Sequence, residues 1–288
     1  MTTIALLHPD VPPKAVERFR IGSAEIRIQE ELDENTNCSA VLIFGGDGTV
    51  HRHIPELHKR KIPFLVIPCG SGNDFAKSIG LRNQEVALEA WKQFCAGHKN
   101  VREIDLGQIK PCRQGSREEI LFCCVVAVGM DAEANARANR LPQWLKGRGG
   151  YLLSALRSLI RFRAVEMSAL SAERELRGAA FFIAVGNVHR YGAGMQVTPR
   201  AKPDDGLLDV CFVAKMNKLK LLCWVPLIFL GGHLRLREVQ YFQAQQVRIE
   251  AARPLDIYAD GDYVCQAPVD IRVIPKGLRA IGPAPISL

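Results

Sequence analysis

The sequence predicts an α/β domain with a mainly parallel sheet, followed by a mostly antiparallel β-sandwich domain. Up to residue 100, short apolar runs alternate with amphipathic segments, which is the pattern of a parallel sheet with helices on both faces. Beyond residue 100, strand-like runs follow one another with few helical stretches between them, which favours a sandwich. We therefore expect a first domain over residues 1–100 and a second over residues 101–277, with residues 278–288 returning to the first.

The first domain is expected to alternate strands and helices along its whole length. Its predicted strands are Thr3–Leu7, Glu25–Ile28, Val41–Phe44 and Ile62–Ile67. Its predicted helices are Pro12–Ile21, Val50–Lys59, Asn73–Ile79 and Gln84–Ala96. In the last of these helices, apolar residues recur near helical spacing.

The second domain is expected to consist mainly of strands. They are predicted at Val101–Ile109, Ile120–Val128, Ala164–Ser171, Ala179–Val185, Leu208–Val213, Gln246–Glu250 and Leu255–Ala259. Helical stretches are predicted at about Leu145–Phe162 and Leu219–Gly231. The apolar piece Leu278–Ile281 is the part of the chain expected to return to the first domain.

The composition indicates a globular protein with an anionic partner. Apolar residues make up 48% and charged residues 24% of the 288 residues, as in ordinary globular chains. The net charge of +8 favours nucleotide phosphates, an acidic membrane surface or nucleic acid as partners. Nucleic acid is not expected, because no stretch combines aromatic and basic residues as RNA-binding modules do.

The cysteines, the N-terminus and the longest apolar run indicate the cellular location of the protein. The nine cysteines form no CxxC pair, which fits buried thiols in a reducing cytosol better than disulfides or a zinc site. The N-terminus lacks the basic region of a signal peptide. Leu221–Leu230 is about half as long as the roughly 20 residues of a membrane span. We expect a cytoplasmic protein without a transmembrane segment, able to lie peripherally at the inner membrane surface; a homodimer is left open.

Two strands of the first domain are expected to end in glycine-rich turns. Val41–Phe44 runs into Gly45-Gly46-Asp47-Gly48-Thr49, and Ile62–Ile67 runs into Pro68-Cys69-Gly70-Ser71-Gly72-Asn73-Asp74. Glycines let the backbone approach a ligand, and helices that begin at such turns point N–H groups at an anion. Neither turn fits the Walker or the GxGxxG pattern. A plain βα loop would explain one such turn, but two of them favour a phosphate site.

Together the two turns resemble the catalytic domain of the diacylglycerol kinase family, which includes bacterial soluble lipid kinases and the sphingosine and ceramide kinases. Gly45–Thr49 matches the GGDGT element, which NAD kinases and 6-phosphofructokinases share, and Gly70–Ala76 matches the second element. Further matches follow in family order over nearly the whole chain. They are Asp105–Gly107, Gly129–Asp131, Gly186–Met195, Pro199–Asp209 and Tyr258–Asp262.

The resemblance implies an ATP-dependent kinase that uses Mg²⁺ to phosphorylate the hydroxyl of a diacylglycerol-like or related lipid alcohol. The residues implied to bind the nucleotide are Gly45, Gly46, Asp47, Gly48, Thr49, Ser71, Gly72, Asn73 and Asp74. Because Asp47 would repel phosphate directly, we expect a Mg²⁺ ion between the two and a catalytic role for this residue. The alternative is that Asp47 caps the helix predicted from Val50.

Asp262 is the predicted catalytic base. It belongs to Asp260-Gly261-Asp262, which resembles a family element that usually reads Asp-Gly-Glu. Either carboxylate can accept the proton of an acceptor hydroxyl, but Asp is shorter by a methylene, so the backbone must supply the reach. The same residues favour a hairpin turn. Both roles can hold together, because a hairpin tip can present a base.

A second acidic turn, Asp204-Asp205-Gly206, is implied by the resemblance to hold a structural Mg²⁺. The implied ligands are the Asp205 carboxylate and main-chain oxygens near Lys202 and Leu207. The alternative is an acidic turn that faces water.

Two further segments can either meet a membrane or pack on the core. Trp144–Arg163 is basic and amphipathic, and Leu221–Leu230 is an apolar run. Either can lie on an anionic membrane, but packing against the core is favoured for both.

Two departures from the family bear on nucleotide binding. Leu7-His8-Pro9-Asp10 stands where most members have Asn-Pro-x-x-Gly, and the segment Glu30–Ser39 is shorter than usual. We expect altered nucleotide affinity or base preference. The departures favour a non-catalytic nucleotide- or lipid-binding homologue, against which the intact acidic positions argue. An NAD kinase-like enzyme is the other alternative, and it would explain GGDGT but not the later elements.

Overall fold

The computed structural model of the chain describes residues 2–22, 25–32, 37–112, 119–130, 162–192 and 194–283. The chain divides into two compact units. The first unit comprises Met1–Asp105 and Pro275–Leu288, and the second comprises Leu106–Ile274.

Several predictions concern residues that lie outside the described ranges. These are nearly all of the helix Leu145–Phe162 and of the basic segment Trp144–Arg163, together with residues 33–36 of the turn Glu30–Ser39. Asp131 and Ala193, which belong to two of the matched family elements, also lie outside them.

The first unit contains the predicted parallel sheet. Its strands are β1 (Thr2–Leu7), β2 (Glu25–Gln29), β3 (Ala40–Gly45), β4 (Pro63–Pro68) and the last residues of β15 (Val269–Ile281). They lie in the order β2-β1-β3-β4-β15, and every neighbouring pair is parallel. β3 and β4 are buried along nearly their whole length, which explains why both read as unbroken apolar runs.

The helices of the first unit follow the predicted order with shifted ends. They are α1 (Asp47–Arg60), α2 (Asp74–Ser78) and α3 (Gln84–Cys95). The predicted helix Pro12–Ile21 is a shorter 3₁₀ helix, Pro13–Phe19, in which the Ala15 N–H donates to the Pro12 carbonyl. α1 begins at Asp47 and not at Val50, because the extended residue Gly46 already serves as its N-cap.

Aromatic side chains fix α2 and α3 on the sheet. The indole N–H of Trp91 on α3 donates to the Phe19 carbonyl at 2.8 Å. Phe75 on α2 stacks on Phe64 of β4, with ring centroids 6.2 Å apart. Trp91, Phe75 and Phe64 are fully buried, and burial of a large apolar side chain contributes about 1.5–3 kcal/mol. The turn before α2 is therefore held by core packing.

The second unit consists of antiparallel strands in the part that the structure describes. They are β5 (Val101–Pro111, which begins in the first unit), β6 (Ile120–Phe122), β7 (Val125–Gly129), β8 (Val165–Leu170), β9 (Glu175–Gly186), β10 (Leu208–Ala214), β11 (Val239–Ala244), β12 (Gln246–Ala251), β13 (Asp256–Ala259) and β14 (Asp262–Gln266). The central strands lie in the order β14-β13-β7-β9-β8-β12. The predicted fold class, a parallel α/β domain followed by antiparallel strands, is confirmed.

The second unit also contains helix α4 (Lys218–Ile228) and a 3₁₀ turn at Gly232–Arg235. α4 corresponds to the predicted helical stretch Leu219–Gly231 and ends earlier. Within the described ranges, no helix has both the length and the apolar character that a bilayer crossing requires.

One strand prediction differs from the structure, and β11, β14 and the part of β15 before Leu278 were not predicted as strands. The predicted strand Ile120–Val128 is two strands, β6 and β7, interrupted at Cys123-Cys124, whose N–H groups bond to a side chain and not to a neighbouring strand. β11 and β14 were not predicted, because both are mostly half-exposed and carry polar residues throughout. Neither strand has the apolar pattern from which a strand is predicted.

Candidate functional site

The two glycine-rich turns lie side by side at one edge of the parallel sheet. β3 and β4 are neighbours, with Gly45 paired to Pro68, so both turns leave the carboxyl ends of adjacent strands. The N–H of Cys69 donates to the Gly45 carbonyl at 3.0 Å and joins the turns directly. In α/β sheets this edge is where ligands bind, because helix N-termini and loop N–H groups meet there.

The glycines of the turns serve two different purposes. A Cβ atom on Gly70 would lie 2.8 Å from the Cα of Gly46, and one on Gly45 would lie 2.3 Å from the Thr49 hydroxyl oxygen. Gly70 is therefore needed for the two turns to pack against each other, and Gly45 for the first turn to fold onto Thr49. A Cβ on Gly48 would meet no protein atom within 4 Å, so the first turn of α1 borders open space there.

Asp47 links the two turns. Its Oδ2 accepts the N–H of Asp74 at 3.0 Å, and its Oδ1 accepts the N–H of Phe75 at 2.9 Å. These are N–H groups at the start of α2, which have no partner within that helix. The expectation that Asp47 caps its own helix is wrong: Gly46 is the N-cap of α1, and Asp47 caps the next helix along the chain.

The second turn is held by its own side chains. Asn73 adopts a left-handed conformation (φ 54°), and its Oδ1 accepts the Gly70 N–H at 2.9 Å while its amide donates to the Gly70 carbonyl. The Lys77 ammonium donates to the Gly72 carbonyl. Gly70 and Ser71 remain exposed. The Asn73 side chain therefore shapes the turn, and Lys77, which the sequence analysis did not single out, brings a positive charge to it.

A cleft of about 340 Å³ lies in the first unit at the same sheet edge. It is lined by Asp10, Val11, Pro12, Ala15, Arg18, Phe19, Phe44, Cys69 and Gln84. Apolar side chains and a few polar groups therefore face the same space. Burial raises the pKa of the Cys69 thiol, so this group enters the cleft in its neutral form at neutral pH.

The unusual segment Leu7-His8-Pro9-Asp10 leads directly into this cleft. The His8 N–H donates to the Phe44 carbonyl at 2.9 Å, which continues the contact between β1 and β3. His8 Nδ1 accepts the Asp10 N–H at 3.2 Å, and the His8 carbonyl accepts the Val11 N–H at 2.9 Å. The side chain of His8 thus stabilises a tight turn at the place where the resemblance implies Asn-Pro-x-x-Gly.

In the second unit, Asp260-Gly261 forms the two-residue turn of a hairpin between β13 and β14. Ala259 pairs with Asp262, and both turn residues have positive φ angles of 52° and 99°. The Asp260 carboxylate accepts the N–H groups of Cys123, Cys124 and Val125 at 2.8, 2.8 and 3.1 Å. Asp260 therefore fastens the hairpin to the interruption between β6 and β7.

Asp262 is an exposed acid next to the turn of this hairpin. It is the first residue of β14, and its side chain faces solvent, as does that of Tyr263. Tyr263 packs edge-on against Tyr258, with centroids 5.8 Å apart. The hairpin alternative is thus correct for Asp260-Gly261, and the same hairpin presents the Asp262 carboxylate at its tip.

The acidic turn before β10 carries the exposed carboxylates of Asp204 and Asp205, and β10 itself carries the buried carboxylate of Asp209. Asp205 is exposed, and its Oδ1 accepts the Leu207 N–H at 3.1 Å. Asp209 is fully buried, and it accepts hydrogen bonds from the Tyr241 hydroxyl at 2.6 Å and the Gln243 amide at 3.2 Å. Burial, with a smaller effect from the Asp205 charge, raises the pKa of Asp209. The sequence analysis did not identify this buried network.

The structure brings together the predicted nucleotide residues of the first unit, and the other predicted site residues belong to the second unit. Gly45–Thr49 and Ser71–Asp74 form one junction. Asp262 lies at the hairpin tip, and the predicted metal ligands Lys202, Asp205 and Leu207 lie at the turn before β10. Lys77 and Asp260 were missed, although the family elements contain or adjoin both.

Comparison with known proteins agrees with this architecture. Residues 15–109 match the diacylglycerol kinase catalytic domain, and residues 124–282 match the YegS C-terminal NAD kinase beta sandwich-like domain. A diacylglycerol kinase of Mycobacterium tuberculosis (strain ATCC 25618 / H37Rv) is 33% identical over 251 residues, which cover 85% of this chain and 77% of that protein.

Solved structures share the fold. A diacylglycerol kinase from Bacillus anthracis str. Sterne has a TM-score of 0.70 at 19% identity, covering 98% of this chain and 96% of that one. An NAD kinase from Archaeoglobus fulgidus in complex with ATP has a TM-score of 0.59 at 14% identity, covering 99% and 94%. The matched family models and the Mycobacterium relative show that the chain belongs to the diacylglycerol kinase catalytic-domain family, as the resemblance predicted.

Proposed function

We propose that this chain is an ATP-dependent lipid kinase that phosphorylates the hydroxyl of a diacylglycerol-like or related lipid alcohol. Family membership supports the lipid-kinase class. The observation that carries the proposal is the junction of the two turns, where α1 begins beside open space at Gly48 and beside the exposed Gly70 and Ser71. Backbone N–H groups with space above them suit the phosphates of a nucleotide.

In this proposal the first domain, residues 1–100 with 278–288, binds ATP. The N-terminus of α1 and the turn Gly70–Asn73 receive the phosphates, and the Lys77 ammonium adds positive charge beside them. The neighbouring cleft accepts the nucleoside, because Phe19 and Phe44 offer apolar surface while Arg18 and Gln84 offer hydrogen-bond donors. Residues 101–277 bind the lipid acceptor.

Mg²⁺ is proposed as the second cofactor, and the donor set fits it. Asp47 places a carboxylate at the junction of the two turns, and carboxylate with phosphate oxygens is the environment that Mg²⁺ prefers. A second ion is proposed at Asp205 with main-chain oxygens of Lys202 and Leu207, where the donors are again oxygens at an exposed turn. When bound, the ion neutralises phosphate charge during transfer.

Asp262 is proposed as the general base. Its exposed carboxylate accepts the proton of the lipid hydroxyl, whose oxygen forms a bond to the γ-phosphorus as the bond to the ADP oxygen breaks. The backbone of a two-residue turn is rigid, so the short side chain is presented from a fixed position. We place the reaction at the inner surface of the cytoplasmic membrane, where such lipids are found.

The test is transfer of γ-phosphate from ATP to a panel of lipid alcohols in mixed micelles with Mg²⁺. We expect one acceptor class to be phosphorylated and the Asp262→Ala variant to lose at least about 10²-fold in rate, the lower range of general-base effects. Asp256→Ala is the matched control, because Asp256 is another exposed acid of the same hairpin and bonds only to the half-buried Gln266 among the hydrogen bonds described for it.

Two other results would replace the proposal. Phosphorylation of NAD without phosphorylation of any lipid would favour the NAD kinase-like alternative, whose fold this chain shares. Binding of ATP without any transfer would favour a non-catalytic homologue, and the segment Leu7–Asp10 would then be the first place to restore the family sequence.

A further inference from the structure

We propose that α4 and the segment after it form a docking surface for an anionic lipid bilayer. This surface, which we name the α4 surface, comprises residues 215–238. The inference deepens the proposed function, because a lipid kinase must reach its acceptor at a membrane. Docking is nevertheless measured without ATP or acceptor, so it can fail or succeed independently of the kinase activity.

The α4 surface exposes large apolar side chains. Leu219 is 71% exposed, Leu230 is 76% exposed and Leu222 is 41% exposed. Among the α4 side chains that the structure describes, Leu221 is the buried one. Exposed apolar side chains grouped in this way mark a contact surface.

Hydrogen bonds fix α4 at both of its ends. The Asn217 side chain caps α4 by accepting the Leu219 N–H at 2.9 Å. At the other end, the N–H and the side-chain amide of Gln196 donate to the carbonyls of Ile228 and Phe229, each at 3.0 Å. Leu219 and Leu222 are therefore presented by a helix that is fixed at both ends, and Leu230 follows directly, with its N–H bonded to the Leu227 carbonyl at 3.0 Å.

The charges of the same segment select an anionic partner. Residues 215–238 contain Lys215, Lys218, Lys220, Arg235 and Arg237 but a single acid, Glu238, which pairs with Lys220 at 2.8 Å. Lys215, Arg235 and Arg237 are exposed. A second copy of this surface would bring like charges together, whereas an anionic bilayer offers acidic headgroups to the cations and acyl chains to the leucines. We therefore identify the occupant as a bilayer.

The apolar contribution is tested by sedimentation with vesicles of phosphatidylglycerol and phosphatidylcholine, without ATP. We expect the double variant Leu219→Ser/Leu230→Ser to bind at least about tenfold more weakly than wild type, because both leucines lose their contact with acyl chains. Ile28→Ser is the matched control, since Ile28 is 46% exposed on β2 outside the α4 surface. Unchanged thermal melting of both variants would show that they fold.

The contribution of the basic residues to vesicle binding is tested with the double variant Arg235→Ala/Arg237→Ala in the same sedimentation experiment. We expect a loss of roughly fivefold for each arginine on anionic vesicles and little change on pure phosphatidylcholine, because a basic residue contributes mainly at an anionic surface. Lys99→Ala is the control, because Lys99 is exposed in the first unit. The difference between the two vesicle types should diminish at high salt.

Two outcomes would overturn the inference. One is vesicle binding by Leu219→Ser/Leu230→Ser equal to that of wild type. The other is a wild-type dimer in sedimentation equilibrium that this variant dissociates while vesicle binding persists, which would make a second copy the occupant. Transfer to dioctanoylglycerol, a short-chain acceptor, separates the two proposals: the variant should retain it if only docking is impaired, and wild type should lack it if the kinase proposal fails.

Discussion

The turn junction of the first unit and the hairpin of the second are held by the same kind of interaction but expose different groups. In each, an Asp beside a Gly accepts backbone N–H groups from a segment distant in sequence: Asp47 accepts two, and Asp260 accepts three. The junction then exposes backbone, at Gly48 and Gly70, whereas the hairpin exposes a carboxylate, at Asp262. Exposed backbone N–H groups are suited to binding an anion, whereas an exposed carboxylate is suited to accepting a proton.

The comparison teaches that an acid in a family element is not necessarily the acid that does the chemistry. A carboxylate whose oxygens already accept several backbone N–H groups anchors those segments and is not available to a substrate. Asp260 is such a group, and Asp262, two residues later, is not engaged in this way among the hydrogen bonds described for it. Substitutions can therefore separate residues that hold the structure from residues that act on the substrate.

The largest effect on stability is expected at Asp260. Asp260→Ala removes three charge-assisted hydrogen bonds and leaves the N–H groups of the buried residues Cys123, Cys124 and Val125 without their acceptor. We expect the free energy of unfolding to fall by about 3–5 kcal/mol, because each lost partner of this kind costs about 1–3 kcal/mol and the losses are not fully additive. Urea denaturation measures the change.

Asp262→Ala is the control for this prediction, because its side chain is exposed at the tip of the same hairpin. Its cost should stay within about 0.5 kcal/mol, as for ordinary surface substitutions. Equal destabilisation by the two alanine substitutions would refute the distinction between an anchoring and an exposed acid.

A smaller effect on stability is expected at Asp47. Asp47→Ala should lower the free energy of unfolding by about 2 kcal/mol, because two N–H groups at the start of α2 lose their acceptor. Asp47→Asn keeps one acceptor oxygen and should cost about half as much. It also removes the charge that a metal requires, so it separates the anchoring role from the proposed role in holding Mg²⁺.

The readout for Asp47→Asn is ATP binding measured by calorimetry with and without Mg²⁺. If Asp47 contributes to the metal site, the stimulation by Mg²⁺ should fall at least about tenfold while the fold is retained. If the stimulation is unchanged, the residue serves as an anchor alone, and another acid must be sought for the metal.

Features that depend on neighbouring residues could be predicted from the sequence, and features that depend on residues far apart in the chain could not. β3 and β4 were predictable because each is an apolar run that ends in glycines, which is a local signal. The bonds from Asp47 to Phe75 and from Asp260 to Cys123 join residues far apart in the chain, and no local pattern reports them. The resemblance identified the sequence elements but not which aspartate anchors the backbone. An anchoring residue and a reacting residue can both be aspartate, so the sequence alone does not distinguish them.

The smallest effect on stability is expected for Gly48→Ala, which should instead weaken ATP binding. The added methyl group meets no protein atom within 4 Å, and alanine favours a helix over glycine by up to about 1 kcal/mol, so the protein should be as stable as wild type or slightly more so. ATP affinity should nevertheless fall at least about tenfold, because the methyl group occupies the space proposed for a phosphate.

Gly70→Ala should behave in the opposite way. Its Cβ would lie 2.8 Å from the Gly46 Cα, so the two turns must separate, at a cost of about 1–3 kcal/mol. Both glycines are exposed and belong to the same junction, so their opposite effects on stability cannot arise from a difference in burial. A Gly48→Ala protein that is stable and binds ATP normally would mean that the open space beside α1 is not where the phosphates lie, and the proposed orientation of the nucleotide along this sheet edge would have to be abandoned.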